Sequence, residues 1–163
     1  MRQRKYSSRT QYAYQCSDGG KAQCGLTHER NDCTVRTLAI AAEIPYKEAH
    51  SLLASFGRKD GKGFAFGNLD GETVNGYKVE LHVIKPVKVM AKSSFYNVEY
   101  VKAFKRPTLK AFLASDEAKR ERLAITVPSH IFAVIDGVVH DSYKVGSSKR
   151  VWNYYTFTKE QTK

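Results

Sequence analysis

The clearest hydrophobic pattern lies between residues 31 and 43, where apolar side chains repeat at the spacing of one helical face. These apolar residues are Val35, Leu38, Ala39 and Ala42. Asn31 and Asp32 precede them, and both residue types are favoured as helix N-caps. The pattern therefore predicts a helix that runs to about Glu43 and has Cys33 in or just before its first turn.

A second helix is predicted directly after the first. Pro45 suits the first position of a helix, and Gly57 would end it. Its predicted inner face consists of Tyr46, Ala49, Leu53 and Phe56. The glycines of residues 58–68 then indicate a loop.

The middle of the chain is less regular. Residues 77–84 alternate as in a β-strand that Pro86 closes, and Pro107 with Thr108 opens a short helix. Residues 88–106 predict no particular element. After residue 122 the pattern becomes that of β-structure, with four strand-like runs at residues 123–127, 130–135, 138–143 and 151–158. Helices followed by an antiparallel sheet indicate an α+β fold.

The Asp136-Gly137 pair between two of these runs is a strong signal for a two-residue hairpin turn. With these two residues as the loop, Ala133 faces His140 and Val134 faces Val139. Directly opposed residues share a face of the sheet, so His130 and Asp141 become diagonal neighbours, about 7–8 Å apart at the backbone. His140 points to the other face, so the register favours His130 with Asp141 as an interacting pair.

The chain has 163 residues. Its size and composition fit one domain, residues 16–163, preceded by a flexible basic tail of residues 1–15. The three cysteines are an odd number, which argues against a secreted disulfide framework. No apolar run approaches the ~20 residues of a membrane span, and we expect a soluble, cytoplasmic protein. The net charge of +11 favours attraction to polyanions such as nucleic acid, or else forms a solvated basic surface.

The position of Cys33 has chemical consequences. Unpaired N–H groups and the helix dipole favour an anion at the start of a helix, and they lower the pKa of a cysteine there. A histidine oriented by a carboxylate and brought to such a sulfur completes a nucleophile, base and orienting acid. Cys33, His130 and Asp141 are therefore the predicted catalytic residues.

The order of these residues, with Asn31-Asp32-Cys33 at a helix start and Ser129-His130-Ile131 at a strand start, resembles the papain-like cysteine peptidases. The closest likeness is to compact bacteriocin-processing peptidases and small phage-encoded relatives, over residues 28–60 and 107–143. The resemblance implies a cysteine-bearing helix packed on an antiparallel sheet, and cleavage of a peptide or isopeptide bond through a thioester without a cofactor. For a phage protein it implies the host cytoplasm.

Two further features of the resemblance concern the site and the substrate. Such peptidases commonly carry a glutamine a few residues before the cysteine, and this glutamine is an oxyanion donor. In this chain the corresponding positions are occupied by Thr27, His28 and Glu29. Asn31 or the Cys33 N–H would replace the glutamine. The sequence is also loosely similar to ubiquitin-directed peptidases. The expected substrates are therefore proteins and peptides, and also ubiquitin-like conjugates. Hydrolysis, deamidation and acyl transfer all share the thioester and stay open.

Two alternatives compete with catalysis. A catalytically silent papain-like fold would bind nucleic acid or inhibit a partner, with Lys149, Arg150 and Trp152 as contact residues, because bases and aromatics interleave there. A zinc site is the other alternative, and its ligands would be Cys16, Cys24, His28 and Cys33. These residues lack the paired Cys-x-x-Cys spacing of structural zinc sites, so no metal is predicted.

Overall fold

The computed structural model describes residues 12–162, which form three α-helices and nine β-strands. The helices are α1 (Cys33–Ala41), α2 (Tyr46–Ser55) and α3 (Leu109–Leu113). The strands are β1 (Tyr14–Cys16), β2 (Thr73–Val74), β3 (Tyr77–Val83), β4 (Val87–Lys92), β5 (Glu99–Lys105), β6 (Arg122–Val127), β7 (His130–Ile135), β8 (Val138–Asp141) and β9 (Asn153–Lys159). The protein is therefore a mixed α+β fold.

Seven strands form one sheet in the order β1-β8-β7-β6-β9-β3-β2, and β4 pairs only with β5 in a separate hairpin. All pairings in the large sheet are antiparallel except that of β1 with β8. Side chains that alternate along β6, such as Leu123 and Ala124, enter different cores. One core lies beneath α1 and α2, and the other lies beneath α3 on the opposite face, so the sheet is the middle layer.

The turn between β7 and β8 has the geometry predicted from its sequence. Asp136 and Gly137 have φ of 48° and 78°, and positive φ at both positions is typical of a type I′ turn. Ala133 pairs with His140 and Val134 with Val139, which confirms the predicted register. His130 and Asp141 consequently lie on neighbouring strands within side-chain reach of each other.

Three boundaries differ from the sequence prediction. α1 ends at Ala41 because Glu43 takes a positive φ of 55°, which an α-helix does not accommodate. The folded domain begins at or before Tyr14, since β1 occupies part of the tail predicted over residues 1–15; residues 1–11 lie outside the described chain. Residues 88–106, which predicted no element, form most of the β4–β5 hairpin.

Candidate active site

Cys33 is the first residue of α1, and the packing of α1 on β7 determines what lies next to its sulfur. Val35 and Leu38 are fully buried on the inner face of the helix. One turn after the cysteine, the Thr37 hydroxyl donates to the carbonyl of Ile131 at 3.2 Å. This contact joins the cysteine-bearing helix to the start of β7, where His130 lies.

The imidazole of His130 contacts both other predicted catalytic residues. Its Nε2 lies 2.5 Å from Oδ2 of Asp141, and it is hydrogen-bonded to the Cys33 side chain. Because Nε2 is engaged by the carboxylate, the contact with sulfur falls to Nδ1. The ring lies between Tyr143 and Phe132, at centroid distances of 4.9 Å and 5.9 Å. The three residues predicted from helix position and hairpin register are thus brought together.

The charges of the pair favour a thiolate beside an imidazolium. Burial raises the pKa of Cys33, but hydrogen bonds from His130 and the Ile131 N–H, with the positive charges of His130 and Arg36, bring it below its ordinary value. Burial lowers the pKa of His130, yet hydrogen bonds to Asp141 and Cys33 raise it to about 9. Each group therefore stabilises the charged form of the other.

Asp141 is buried and held from two further directions. The backbone N–H of Ser142 donates to its Oδ1 at 2.7 Å. Arg36 Nη2 lies 4.0 Å from the same oxygen, and Arg36 also donates to the Ser142 hydroxyl. Arg36 is not among the residues predicted from the sequence. It lies three residues after Cys33, and this spacing places both residues on the same side of the helix.

Asp32 is the N-cap residue of α1, as its position predicted, but its carboxylate does not cap the helix. It accepts a hydrogen bond from the Tyr46 hydroxyl at 2.7 Å and lies 3.1 Å from Lys21 Nζ. Burial raises its pKa, but these partners and Arg36 bring it below its usual value. The first-turn N–H groups of α1 thus donate no hydrogen bond to their own N-cap side chain.

A cleft of about 530 Å³ opens beside Cys33 and His130. Its walls come from α1, from the loop of residues 63–67, and from the ends of β3, β6, β7 and β9, with Trp152 at the surface. Thr34 Oγ1 and Asn153 Oδ1 line this cleft, and both are buried with no hydrogen-bond partner among residues 12–162. Two residues that line the cleft beside Cys33 therefore each keep a buried polar atom unsatisfied.

Among the other predicted contact residues, only Trp152 lines the cleft that Cys33 and His130 share. The side-chain Nδ2 of Asn31 donates a hydrogen bond to the Gly61 carbonyl at 2.9 Å, so one of its two amide hydrogens is already engaged. Trp152 lines the cleft, Arg150 donates to the Arg106 carbonyl at 2.9 Å, and Lys149 is exposed.

The four residues considered as zinc ligands are not brought together. Cys24 Sγ lies 3.1 Å from the Lys21 carbonyl, while Cys33 contacts His130. Among the described residues, the potential ligand atoms that cluster within 4.8 Å belong to Glu29, His50 and Asp60. The Glu29 carboxylate, however, already accepts bonds from Arg58 at 2.8 Å and the Gly61 N–H at 2.7 Å. That cluster is satisfied as an ion-pair network.

Comparison with models of known protein families, with curated proteins and with solved structures gives no match to this chain. Over residues 12–162, no helix has the length and apolar character needed to cross a membrane. The chemistry of the site is therefore the basis for assigning a function.

Proposed function

We propose that this protein is a thiol hydrolase that cleaves a peptide or isopeptide bond through a thioester on Cys33. His130 is the general base and acid, and Asp141 is the orienting acid. The observation that carries the proposal is that one imidazole binds the buried Asp141 carboxylate through Nε2 and also interacts with the helix-terminal sulfur of Cys33. Lone cysteines and histidines are common in proteins, but this relay has the geometry of a nucleophile and its base.

In the first step, the Cys33 thiolate attacks the carbonyl carbon of the scissile bond and forms a tetrahedral intermediate. The intermediate collapses as the carbon–nitrogen bond breaks, and the proton on Nδ1 of His130 passes to the leaving amine. The acyl group is then a thioester on Cys33. The raised pKa of His130 keeps this proton in place at neutral pH before the attack.

In the second step, the now neutral His130 takes a proton from water, and the resulting hydroxide attacks the thioester. The carbon–sulfur bond breaks, the acid product leaves, and the thiolate–imidazolium pair is restored. An amine in place of water would make the same site an acyl transferase, and a side-chain amide as substrate would make it a deamidase.

The oxyanion of the tetrahedral intermediate requires donors near the start of α1. The backbone N–H of Cys33 is the first candidate because no N-cap side chain engages that end of the helix. Asn31 is the second, through the amide hydrogen that is not donated to Gly61. No glutamine precedes the cysteine at the usual distance, so this pair would replace it.

A papain-like arrangement is the fold that we propose for this site. The helix that carries Cys33 packs against the antiparallel strands that carry His130 and Asp141, which is what the resemblance to compact cysteine peptidases implies. A protein or peptide in extended form, or the tail of a ubiquitin-like conjugate, would occupy the 530 Å³ cleft.

The test is selective alkylation followed by mass spectrometry of each cysteine. In the folded protein at pH 7, Cys33 should react with iodoacetamide at least about tenfold faster than Cys16, because the lowered pKa of Cys33 favours its thiolate. Cys16 is exposed and serves as an internal control for access. His130→Ala should remove the difference. Equal rates at all three cysteines of the native protein would contradict the proposal.

A further inference from the structure

The β4–β5 hairpin, with the residues at its base, forms a projection that we call the basic arm, residues 85–106. Its two strands hydrogen-bond to each other and not to the seven-stranded sheet. No helix or strand outside the hairpin packs extensively against it in the described chain. Isolated two-stranded hairpins are marginally stable in water, so an arm of this kind usually has a partner surface.

The basic arm has a strongly positive net charge. It carries five lysines and one arginine against a single carboxylate, Glu99. These cations are Lys85, Lys88, Lys92, Lys102, Lys105 and Arg106. They are distributed from the base to the far end of β4 and along β5, rather than gathered beside the turn. Such a distribution complements an extended polyanion.

Apolar side chains interleave with these cations. Lys88 is paired with Phe104, and the two side chains share a face. Past a register shift between Val89 and Met90, Met90 is paired with Val101, and Lys92 stands opposite Glu99, the one carboxylate of the arm. Phe104 is 60% exposed and Met90 is 50% exposed. Nothing in the described chain covers them.

The turn of the basic arm adds two more aromatic rings. Phe95 and Tyr96 are 92% and 81% exposed. Their backbone N–H groups both donate to the Ser93 hydroxyl, so the turn that presents the rings is ordered. Exposed rings on an ordered turn can stack on flat ligands at a low entropic cost.

A pocket of about 840 Å³ lies at the base of the basic arm. Lys85, Lys105 and Arg106 line one side, and the ring of His82 stacks on Tyr154 at 4.8 Å within the other. Glu117 is the one carboxylate among its lining residues. Flat aromatic surfaces beside cations are what the bases and phosphates of an unpaired strand require.

We propose that the basic arm and the pocket at its base bind single-stranded nucleic acid. Phosphates would lie along the lysines, and bases would stack on Phe104, Phe95 and Tyr96. An anionic membrane fits less well, because the cations follow the length of the hairpin instead of surrounding its turn. An acidic polypeptide would use the charges but would not require exposed rings at successive positions.

The experiment measures fluorescence anisotropy of a labelled oligo(dT) strand with the full-length protein. Lys88→Gln/Lys92→Gln should weaken binding about tenfold at low salt and make it less salt-dependent, since each phosphate contact adds about 0.7 to the logarithmic salt slope. Phe104→Ala should weaken it about fivefold and leave the slope unchanged. Lys47→Gln/Lys59→Gln removes two exposed lysines outside the arm and is the charge-matched control, expected to bind within about twofold of native protein.

Far-UV circular dichroism of each variant checks that the fold is intact, which the exposure of these side chains leads us to expect. Arm variants that bind the strand as tightly as native protein would overturn the proposal. The proposal would also be overturned if the control variant lost as much affinity for oligo(dT) as the arm variants. The same holds if polyglutamate displaced the labelled strand as well as unlabelled oligo(dT) does, or if the protein bound phosphatidylserine vesicles but not the strand. None of these readouts depends on the thiol, so they are independent of the proposed hydrolase.

Discussion

Arg36 Nη2 lies 4.0 Å from Oδ1 of Asp141, so the helix that carries Cys33 also contacts the carboxylate that binds His130. The same guanidinium lies 3.6 Å from Asp32 and donates to the Ser142 hydroxyl. Two buried carboxylates and a thiolate would otherwise concentrate negative charge in a small volume. Arg36 offsets that charge and connects α1 with the end of β8.

Replacement of Arg36 should therefore raise the pKa of the Cys33 thiol. Each unit of increase lowers the thiolate fraction about tenfold once the pKa exceeds the ambient pH. We expect Arg36→Gln to slow the alkylation of Cys33 at pH 7 by up to about tenfold, and Arg36→Lys to slow it less because the charge is retained. Arg30→Gln, at an exposed position upstream of the helix, is the control. An unchanged rate in Arg36→Gln would show that the guanidinium has only a packing role.

The pH dependence of Cys33 alkylation should have two steps. The lowered pKa of Cys33 means that its thiolate is already present below the ordinary thiol pKa of 9.0 and disappears only as pH falls through the lowered value. His130 loses its proton at about pH 9, and the freed thiolate should then react faster. Stopped-flow alkylation across pH 5–10 measures both steps. A single step near pH 9 would refute the ion pair.

Asp141→Asn should move the second of these steps to lower pH. The carboxylate is a main cause of the raised pKa of His130, and an amide removes one of the two negative partners of the imidazolium and leaves only the Cys33 thiolate. The pKa of His130 should fall from about 9 toward its ordinary value of 6.5. Titration of the His130 ring protons by NMR measures this directly, with His140, on the other face of the sheet, as an internal reference. A step that stays at pH 9 would show that another group sets this pKa.

Thr37→Val should reduce reactivity while it preserves side-chain volume. The Thr37 hydroxyl is buried and donates to the Ile131 carbonyl, which holds α1 at the start of β7. The loss of that bond leaves a buried carbonyl without this donor and should cost about 1 kcal/mol of stability in urea denaturation. Because Cys33 lies one turn away, its alkylation should also slow. Lost stability with an unchanged alkylation rate would confine Thr37 to a structural role.

Glu29→Gln should destabilise the fold in a pH-dependent way. Burial raises the pKa of Glu29, but Arg58, the Gly61 N–H and His50 bring it down to about 2. The carboxylate thus contributes stability above its unfolded value of 4.5, and this contribution is lost as pH falls through 2.

At pH 7 we expect Glu29→Gln to lower the free energy of unfolding by about 3 kcal/mol, since a buried ion pair loses one partner. Between pH 5 and pH 2 the difference from native protein should shrink in urea denaturation curves. A difference that is constant with pH would contradict the assigned charge on Glu29.

The parts of the site that the sequence predicted follow from local rules. The N-cap residues before Cys33 fixed the start of a helix to within a residue, and the Asp136-Gly137 turn fixed the register that pairs β7 with β8. Face alternation then follows from strand geometry alone. These two local signals sufficed to select His130 and Asp141 and to set aside His140.

What the sequence did not predict depends on contacts between distant segments. Arg36 meets Asp141 only because α1 lies across the end of β8, and β1 joins the sheet through a parallel pairing that no turn specifies. The basic arm was missed for a different reason. Both of its strands are largely exposed, so they lack the alternation between buried and exposed positions by which a strand is recognised.

The place of β9 in the sheet has a consequence for biosynthesis. β9 lies between β6 and β3, so the two parts of the sheet are joined only through residues 153–159. A nascent chain that has emerged as far as residue 141 already contains Cys33, His130 and Asp141, but its sheet is still divided. β9 must leave the ribosome before the layer behind α1 can close, so the site that we propose would be complete only after residues 153–159 have emerged.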